Sequence, residues 1–257
     1  MLNSTQKEYI IDVIKICIRN KFRNYKPESN NMPFHFRLLG KDRMALYSFI
    51  QSLNTTFGTS IFEPVAIVLA KNKFQNAKSQ YVLGTTISQG SQSTIQQIMN
   101  NLTLGTNPDK KAEIDAIRKV CQQGKINQLK TVKVDLFIEN KDSEIFLFDL
   151  KTVKPNISNF KDFKRTLLEW VAIVLSTNPN AKVNTLVAIP YNPYEPQPYE
   201  RWTLKGMLDL DNELKVADEF WDFLGSKGAY NELLDCFEIA GIELRPEIDD
   251  YFSRYKR

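Results

Sequence analysis

The stretch Thr131 to Glu139, TVKVDLFIE, alternates Val132, Val134, Leu136 and Ile138 with Lys133, Asp135, Phe137 and Glu139. A two-residue period rich in β-branched and apolar side chains marks a strand with two different faces. Four turn-forming residues, Asn140 to Ser143, separate it from a second run, Glu144 to Lys151, EIFLFDLK. Together they read as an antiparallel hairpin. No other segment constrains the fold as much, because charged residues are set within otherwise hydrophobic strands: Asp135 on the first, Asp149 and Lys151 on the second. Asp149 and Lys151 are two apart and share a face. Whether Asp135 joins them depends on the loop. With a three-residue loop Asn140 pairs with Glu144 and Asp135 lies opposite Asp149; with an even loop the two aspartates point to opposite faces. The loop contains no glycine, so it does not demand a two-residue primed turn. Joint chemistry of these residues therefore predicts an odd loop or a bulge.

The elements around the hairpin set the fold class. Thr5 and Glu8 have capping-box spacing and open an amphipathic helix through Tyr9, Ile10, Val13, Ile14 and Cys17 to Arg23. A second helix is expected near Lys41 to Leu53 with Gly58 as its stop, and a third opens at Pro64, a residue favoured at the first helical position. Tyr81 to Ile87 reads as a strand, followed by helices over Ser91 to Leu104 and Lys110 to Gln122. After the hairpin, Phe160, Phe163, Leu167, Trp170 and Val171 keep helical spacing to about Ser176, and Val183 to Ile189 is a short apolar strand. A helix between that strand and the hairpin makes it parallel to its neighbour. Past the Pro-rich segment Tyr191 to Tyr199 the chain reads as helical and acidic. With no repeat, low-complexity tract or linker, the 257 residues read as a single domain of the α/β class. It has a mixed sheet flanked by helices, a helical region over about residues 1–60, the hairpin over about 131–151, and further C-terminal helices.

Composition narrows the chemistry. The single histidine, His35, excludes sites that need two histidines, and a nucleophilic triad could use only this one. The three cysteines, Cys17, Cys121 and Cys236, are too scattered for a disulfide framework or a metal knuckle and read as reduced, buried thiols of a cytoplasmic protein. No run of 18 apolar residues is present and the N-terminus lacks a small-residue cleavage site, so neither a membrane span nor a signal peptide is expected. The net charge of +4 conceals an asymmetry: 18 Lys and Arg against 8 Asp and Glu over residues 1–130, but 6 against 13 over residues 206–257. The basic half is suited to a polyanion, with the acidic tail placed elsewhere.

Asp135 and Asp149 on one face, with Lys151 alongside, form a recognised set for phosphodiester hydrolysis. Two carboxylates and the backbone carbonyl of Leu150 would hold a divalent cation, and the ammonium would orient water and balance charge. Oxygen donors of this kind suit Mg2+. The bland alternative is a pair of strand-end charges on a solvated edge.

The pattern of Asp135 followed by Asp149-Leu150-Lys151, on an αβββαβ order of elements, resembles the PD-(D/E)XK nuclease motif. Val134 replaces the usual Pro and the second acid is Asp rather than Glu. A broader resemblance runs from about residue 30 through the hairpin to Tyr191-Asn-Pro-Tyr194. It is carried by Pro33 to Arg43 (PFHFRLLGKDR), Thr55 to Pro64 (TTFGTSIFEP), Ile87 to Gln92 (ISQGSQ) and Ile95 to Leu102 (IQQIMNNL). In these segments the chain is similar to type II restriction endonucleases of the TdeIII family. The resemblance implies a restriction-endonuclease-like fold and Mg2+-dependent cleavage of both strands of double-stranded DNA at a short palindrome, GGNCC in that family. It also implies a cognate DNA methyltransferase as functional partner. A palindromic target is matched most simply by a two-fold homodimer.

Further site residues follow with two readings each. Glu63 would add a carboxylate near the metal, as a preceding helix does in many PD-(D/E)XK enzymes, or would simply favour a helix N-terminus. Arg37, Lys41 and Arg43 are the first candidates for guanine or phosphate contacts. Ser88, Gln89, Ser91 and Gln92 lie at a strand-to-helix turn, where they would meet DNA or serve as an N-cap centred on Ser91. Lys161, Lys164 and Arg165 would hold phosphate or lie solvated. His35 is expected to be structural or a phosphate contact. Two other functions stay open: a repair or recombination nuclease of the same fold, distinguished by end-dependent rather than banded products, and a DNA-binding protein without catalysis, distinguished by Mg2+-insensitive DNA retention.

Overall fold

The computed structural model describes residues 2–27, 32–151, 160–200 and 205–255. They group into two compact units, one formed by residues 1–69 with 225–257 and the other by residues 70–224.

The first unit is helical. Helix α1 (Ser4–Asn24) is opened by a capping box, but its members are Asn3 and Gln6 rather than Thr5 and Glu8. Asn accepts from the N3 amide as well as Ser or Thr does, and Gln6 reaches back to the Asn3 amide. Helices α2 (Pro33–Leu39) and α3 (Lys41–Phe57) follow. Gly58 does not end α3. A π-helical turn over Gly58–Phe62 carries the helix on into α4 (Glu63–Ala70). The Glu63 amide donates to the Gly58 carbonyl five residues back, and Pro64, which has no N–H, follows at the widened turn. The run Lys41–Ala70 is long and apolar enough by length and composition to cross a membrane. Its residues Met44, Ala45, Phe49, Ile61, Val65 and Leu69 are buried within the protein.

Helix α10 (Ala229–Ser253) packs against α1. Leu233, Cys236, Ala240 and Leu244 are buried in this unit, as are Ile10, Ile14 and Cys17, and the rings of Phe22, Phe49, Tyr251 and Phe252 cluster at one end. The pairing also corrects the expected separation of charge. The acidic tail lies on the basic N-terminal helix: Lys7 pairs with Glu232 at 2.9 Å, Lys15 with Glu243 at 2.8 Å and Arg19 with Glu247 at 2.7 Å. Part of the basic excess is thus neutralised within this unit.

The second unit holds a five-stranded mixed sheet in the order β1-β2-β3-β4-β5. Strand β1 (Asn76–Ser88) pairs antiparallel with β2 (Ile126–Glu139), and β2 pairs antiparallel with β3 (Glu144–Leu150). Between β1 and β2 lie α5 (Gln89–Thr103), capped by Ser88, and α6 (Lys110–Val120), capped by Asp109. Helix α7 (Phe160–Thr177) returns the chain so that β4 (Lys182–Ile189) runs parallel to β3, as the intervening helix predicts. The tail is not wholly helical: α8 (Leu210–Glu213) leads into β5 (Leu214–Val216), parallel to β4, before α9 (Asp218–Leu224). At three residues β5 is too short to show a periodic signal.

Helix α7 packs against β1 and β4, and Gly84 is what lets it close on β1: a Cβ there would sit 2.7 Å from Ile173 Cγ2. Phe146 and Phe148 of β3 meet Phe220 and Phe223 of α9. The architecture is the expected restriction-endonuclease-like α/β core, with α5 and α6 inserted between its first two strands.

Candidate active site

The loop of the β2–β3 hairpin sets the register of everything on it. The Asn140 amide donates to the Glu144 carbonyl at 3.0 Å, which leaves a three-residue loop, 141–143. Asn140 Oδ1 accepts from the amides of Asp142 and Glu144, both at 2.9 Å, and Ser143 sits in the left-handed region at φ 57°. A side-chain turn plus one left-handed residue builds the odd loop without glycine. Pairs run from Glu139–Ile145 to Leu136–Phe148, and the next step places Asp135 opposite Asp149. The condition set by loop parity is met.

Beyond Leu136–Phe148 the carboxylate of Asp135 replaces a backbone rung. Its Oδ2 accepts from the Leu150 amide at 2.8 Å, while the Lys151 amide continues into β4 through the Ala188 carbonyl at 3.0 Å. Asp149 is 6% exposed, and Lys151 Nζ lies 2.6 Å from its Oδ1. The Lys151 ammonium also sits over the Phe163 ring of α7, 4.8 Å from its centroid. Burial pushes the Asp149 carboxyl up to about 6; Lys151 pulls it down, and neighbouring Asp135 raises it further. For a carboxylate as buried as Asp149, beside a second one, the charged form is disfavoured, and a bound cation would offset that cost.

That electrostatic situation is the test of the metal expectation. Among the described residues no cluster of three or more His, Cys, Asp or Glu could form an all-protein metal cage. Asp135 and Asp149 instead form the sparse, oxygen-only set that suits Mg2+, which is commonly bound through one or two carboxylates plus water and substrate phosphate. The residues present fit that ion.

The other candidates divide by their surroundings. Glu63 opens α4 in the first unit, is 3% exposed, and is not part of the unit that carries the hairpin. Arg37 on α2, and Lys41 and Arg43 on α3, are exposed in that same unit, with Arg43 donating to the Leu39 carbonyl; His35 is exposed beside them. At the β1–α5 turn the capping reading holds for the two serines. Ser88, not Ser91, is the cap: its Oγ accepts from the Ser91 amide at 3.0 Å, and both are fully buried. Neither can reach DNA from there. Gln89 is exposed, and Gln92 accepts from Asn127 at 2.6 Å.

On α7, Lys161 is exposed, and Arg165 reaches Gln96 of α5 at 2.8 Å. Lys164 departs from both readings given to it. It is fully buried, 2.5 Å from Glu113 and 2.6 Å from Glu213, and Lys110 joins Glu213 at 2.8 Å. Helical spacing put Lys164 beside Lys161, but the α7 face that carries it turns into the protein, where a four-charge network satisfies it. A phosphate has no access to it. One residue near the carboxylates carried no sequence signal at all. Gln80 of β1 adopts φ 49° opposite Asp135, with Nε2 3.5 Å from Asp135 Oδ1. A left-handed glutamine inside a strand leaves no mark on periodicity.

Comparison with known proteins gives the chain's family. A family model described as type II restriction endonuclease, HinfI, matches residues 2–241. The type II restriction enzyme HgiCII of Herpetosiphon aurantiacus is 26% identical over 84% of this chain and 80% of its own length. The type II restriction enzyme MjaII of Methanocaldococcus jannaschii is 26% identical over 95% of this chain and 71% of its own. HgiEI, a third type II restriction enzyme, again from Herpetosiphon aurantiacus, is 26% identical over 84% of the chain and 79% of its own length. The expected relationship to type II restriction endonucleases is therefore met, through a match that covers nearly the whole sequence. The chain belongs to the HinfI family of type II restriction endonucleases, site-specific deoxyribonucleases.

Proposed function

We propose that this chain is a Mg2+-dependent restriction endonuclease that hydrolyses both strands of unmethylated double-stranded DNA at a short palindrome, leaving 5′-phosphate and 3′-hydroxyl ends. The observation that carries this reading is the placement of Asp149 opposite Asp135 with Lys151 Nζ 2.6 Å from Asp149 Oδ1. Asp135, Asp149 and the Leu150 carbonyl would hold the ion. When bound, Mg2+ supplies Lewis-acid polarisation of the scissile phosphoryl group. Lys151, held by Asp149 and by the Phe163 ring, orients the attacking water and offsets negative charge that builds on the phosphate.

Arg37, Lys41, Arg43, Gln89, Gln92, Lys161 and Arg165 are the proposed DNA contacts, the basic ones mostly to phosphate. The resemblance to the TdeIII family suggests GGNCC as the target. That resemblance also implies a cognate methyltransferase that shields the host's own sites; a palindromic target is matched most simply by a two-fold homodimer, each subunit cutting one strand, and the scattered cysteines suit a cytoplasmic protein. The deciding experiment is incubation of unmethylated phage DNA with the purified protein and Mg2+, followed by end-mapping. Discrete fragments with ends at one palindrome support the reading. A smear, loss only from free ends, or DNA retention without products at any Mg2+ concentration rejects it.

A further inference from the structure

Gln80 is the one non-glycine residue of β1 with a left-handed backbone, in a strand that also carries register irregularities farther along, between Val82 and Thr86. Its φ of 49° is costly for a residue with a Cβ, and such positions persist where the surroundings hold them, often next to functional sites. The flanking pairs Ser79–Leu136 and Tyr81–Val134 stay in register, so no residue is inserted at Gln80; the register shifts of β1 lie beyond it, between Val82 and Thr86. The consequence appears one residue later. Tyr81 pairs opposite Val134, yet its ring centroid lies 4.5 Å from that of Phe137, a residue that strand alternation assigns to the other face of β2. Gln80 itself, between those two pairs, lies opposite Asp135, and its carboxamide reaches that carboxylate. Asp135 then has a donor on each oxygen: Leu150 N on Oδ2 at 2.8 Å and Gln80 Nε2 on Oδ1 at 3.5 Å, the second a long, weak bond.

We infer that Gln80 is a positioning residue for the metal site, holding the Asp135 carboxylate in the orientation that receives the cation. The inference rests on the proposed metal-dependent reading. An outer donor of this kind fixes the rotamer of a ligating carboxylate, and its loss typically costs about 10- to 100-fold in metal affinity or activity. The 3.5 Å separation puts Gln80 at the low end of that range. Left-handed backbone gives the argument a control, because glycine adopts it without strain. The Gln80→Gly variant keeps or gains stability while lacking the amide, so structure and positioning separate.

The test uses the full chain without DNA and reads free Mn2+ by electron paramagnetic resonance, alongside thermal melting and the Mg2+ dependence of plasmid cleavage. Gln80→Gly and Gln80→Ala are expected to raise the Mn2+ dissociation constant about tenfold and to shift half-maximal Mg2+ upward by a similar factor. Cleavage at saturating metal is expected to stay within a few-fold of wild type, and Gln80→Gly to melt no lower than wild type. Wild-type Mn2+ affinity in Gln80→Gly, while Asp149→Asn abolishes binding, overturns the role of Gln80 alone. Mn2+ binding that survives Asp149→Asn, or none in the wild type, overturns the metal-site reading and this inference with it.

Discussion

The Leu150 amide donates to Asp135 Oδ2 across the β2–β3 pair at 2.8 Å, where a regular ladder would offer a backbone carbonyl. The residue between Asp149 and Lys151 is thereby tied to the aspartate on the neighbouring strand. Pairing, which keeps main-chain groups satisfied, and assembly of the site are one interaction. Removing the Asp135 carboxylate is expected to cost stability as well as activity.

Asp149→Asn and Lys151→Met are expected to reduce cleavage of unmethylated DNA at least about 100-fold, the scale for loss of a positioned acid, base or charge stabiliser. Far-ultraviolet circular dichroism should match wild type. Asp135→Ala should show the same loss and a further drop of about 1–3 kcal/mol in unfolding free energy, because it leaves the Leu150 amide without its acceptor. Near-normal cutting by Asp149→Asn would remove the hairpin from the mechanism.

The Asp149 carboxyl, raised from 3.8 to about 6, makes the metal-free protein pH-dependent. The folded state binds this proton more tightly than the unfolded chain, so the associated stability is full below about pH 4 and is lost as pH rises to about 6. The loss amounts to roughly 3 kcal/mol. Asp149→Asn, which never ionises, should therefore unfold at higher denaturant than wild type at pH 7.5 in chelator, with the gap closing toward pH 4. An equal gap at both pH values would show that ionised Asp149 is not the cost.

Loop parity can be tested by insertion. One residue added after Asp142 makes the loop even, and any re-pairing that keeps the loop tight moves Asp135 and Asp149 to opposite faces. Cleavage should vanish, whereas Ser143→Gly, which suits the left-handed φ of 57°, should keep it and gain about 0.4–1 kcal/mol in a denaturant titration. Activity in the insertion variant would mean that the register does not govern the site.

Lys164 and Lys161, three residues apart on α7, should behave as opposites. Lys164→Ala leaves Glu113 and Glu213 buried without one of their cations and should destabilise by about 3–5 kcal/mol. Lys161→Ala should leave stability unchanged and, if the exposed ammonium contacts phosphate, lower the salt dependence of DNA binding by about one ion. A stable Lys164→Ala protein with weakened DNA binding would reverse this assignment.

Much of the architecture was legible because it rests on local period. Two-residue alternation at 131–139 gave β2, the odd three-residue loop followed from the requirement that two aspartates share a face, and the helix before Val183 implied a parallel β4. What the chain itself could not disclose depended on which face of an element meets which neighbour. Lys161 and Lys164 look alike in sequence, but the packing of α7 and the reach of Glu113 and Glu213 decide that one is solvated and the other fully buried. The acidic tail and the basic N-terminus are more than 200 residues apart in sequence, yet α1 and α10 pair their charges. Gln80 has a φ that no propensity foresees, since its strain is sustained by β1–β2 pairing and by the Tyr81–Phe137 contact. Periodicity and spacing record what a residue does to its near neighbours; burial, charge pairing and strain arise from distant ones, and only the tertiary structure brings those together.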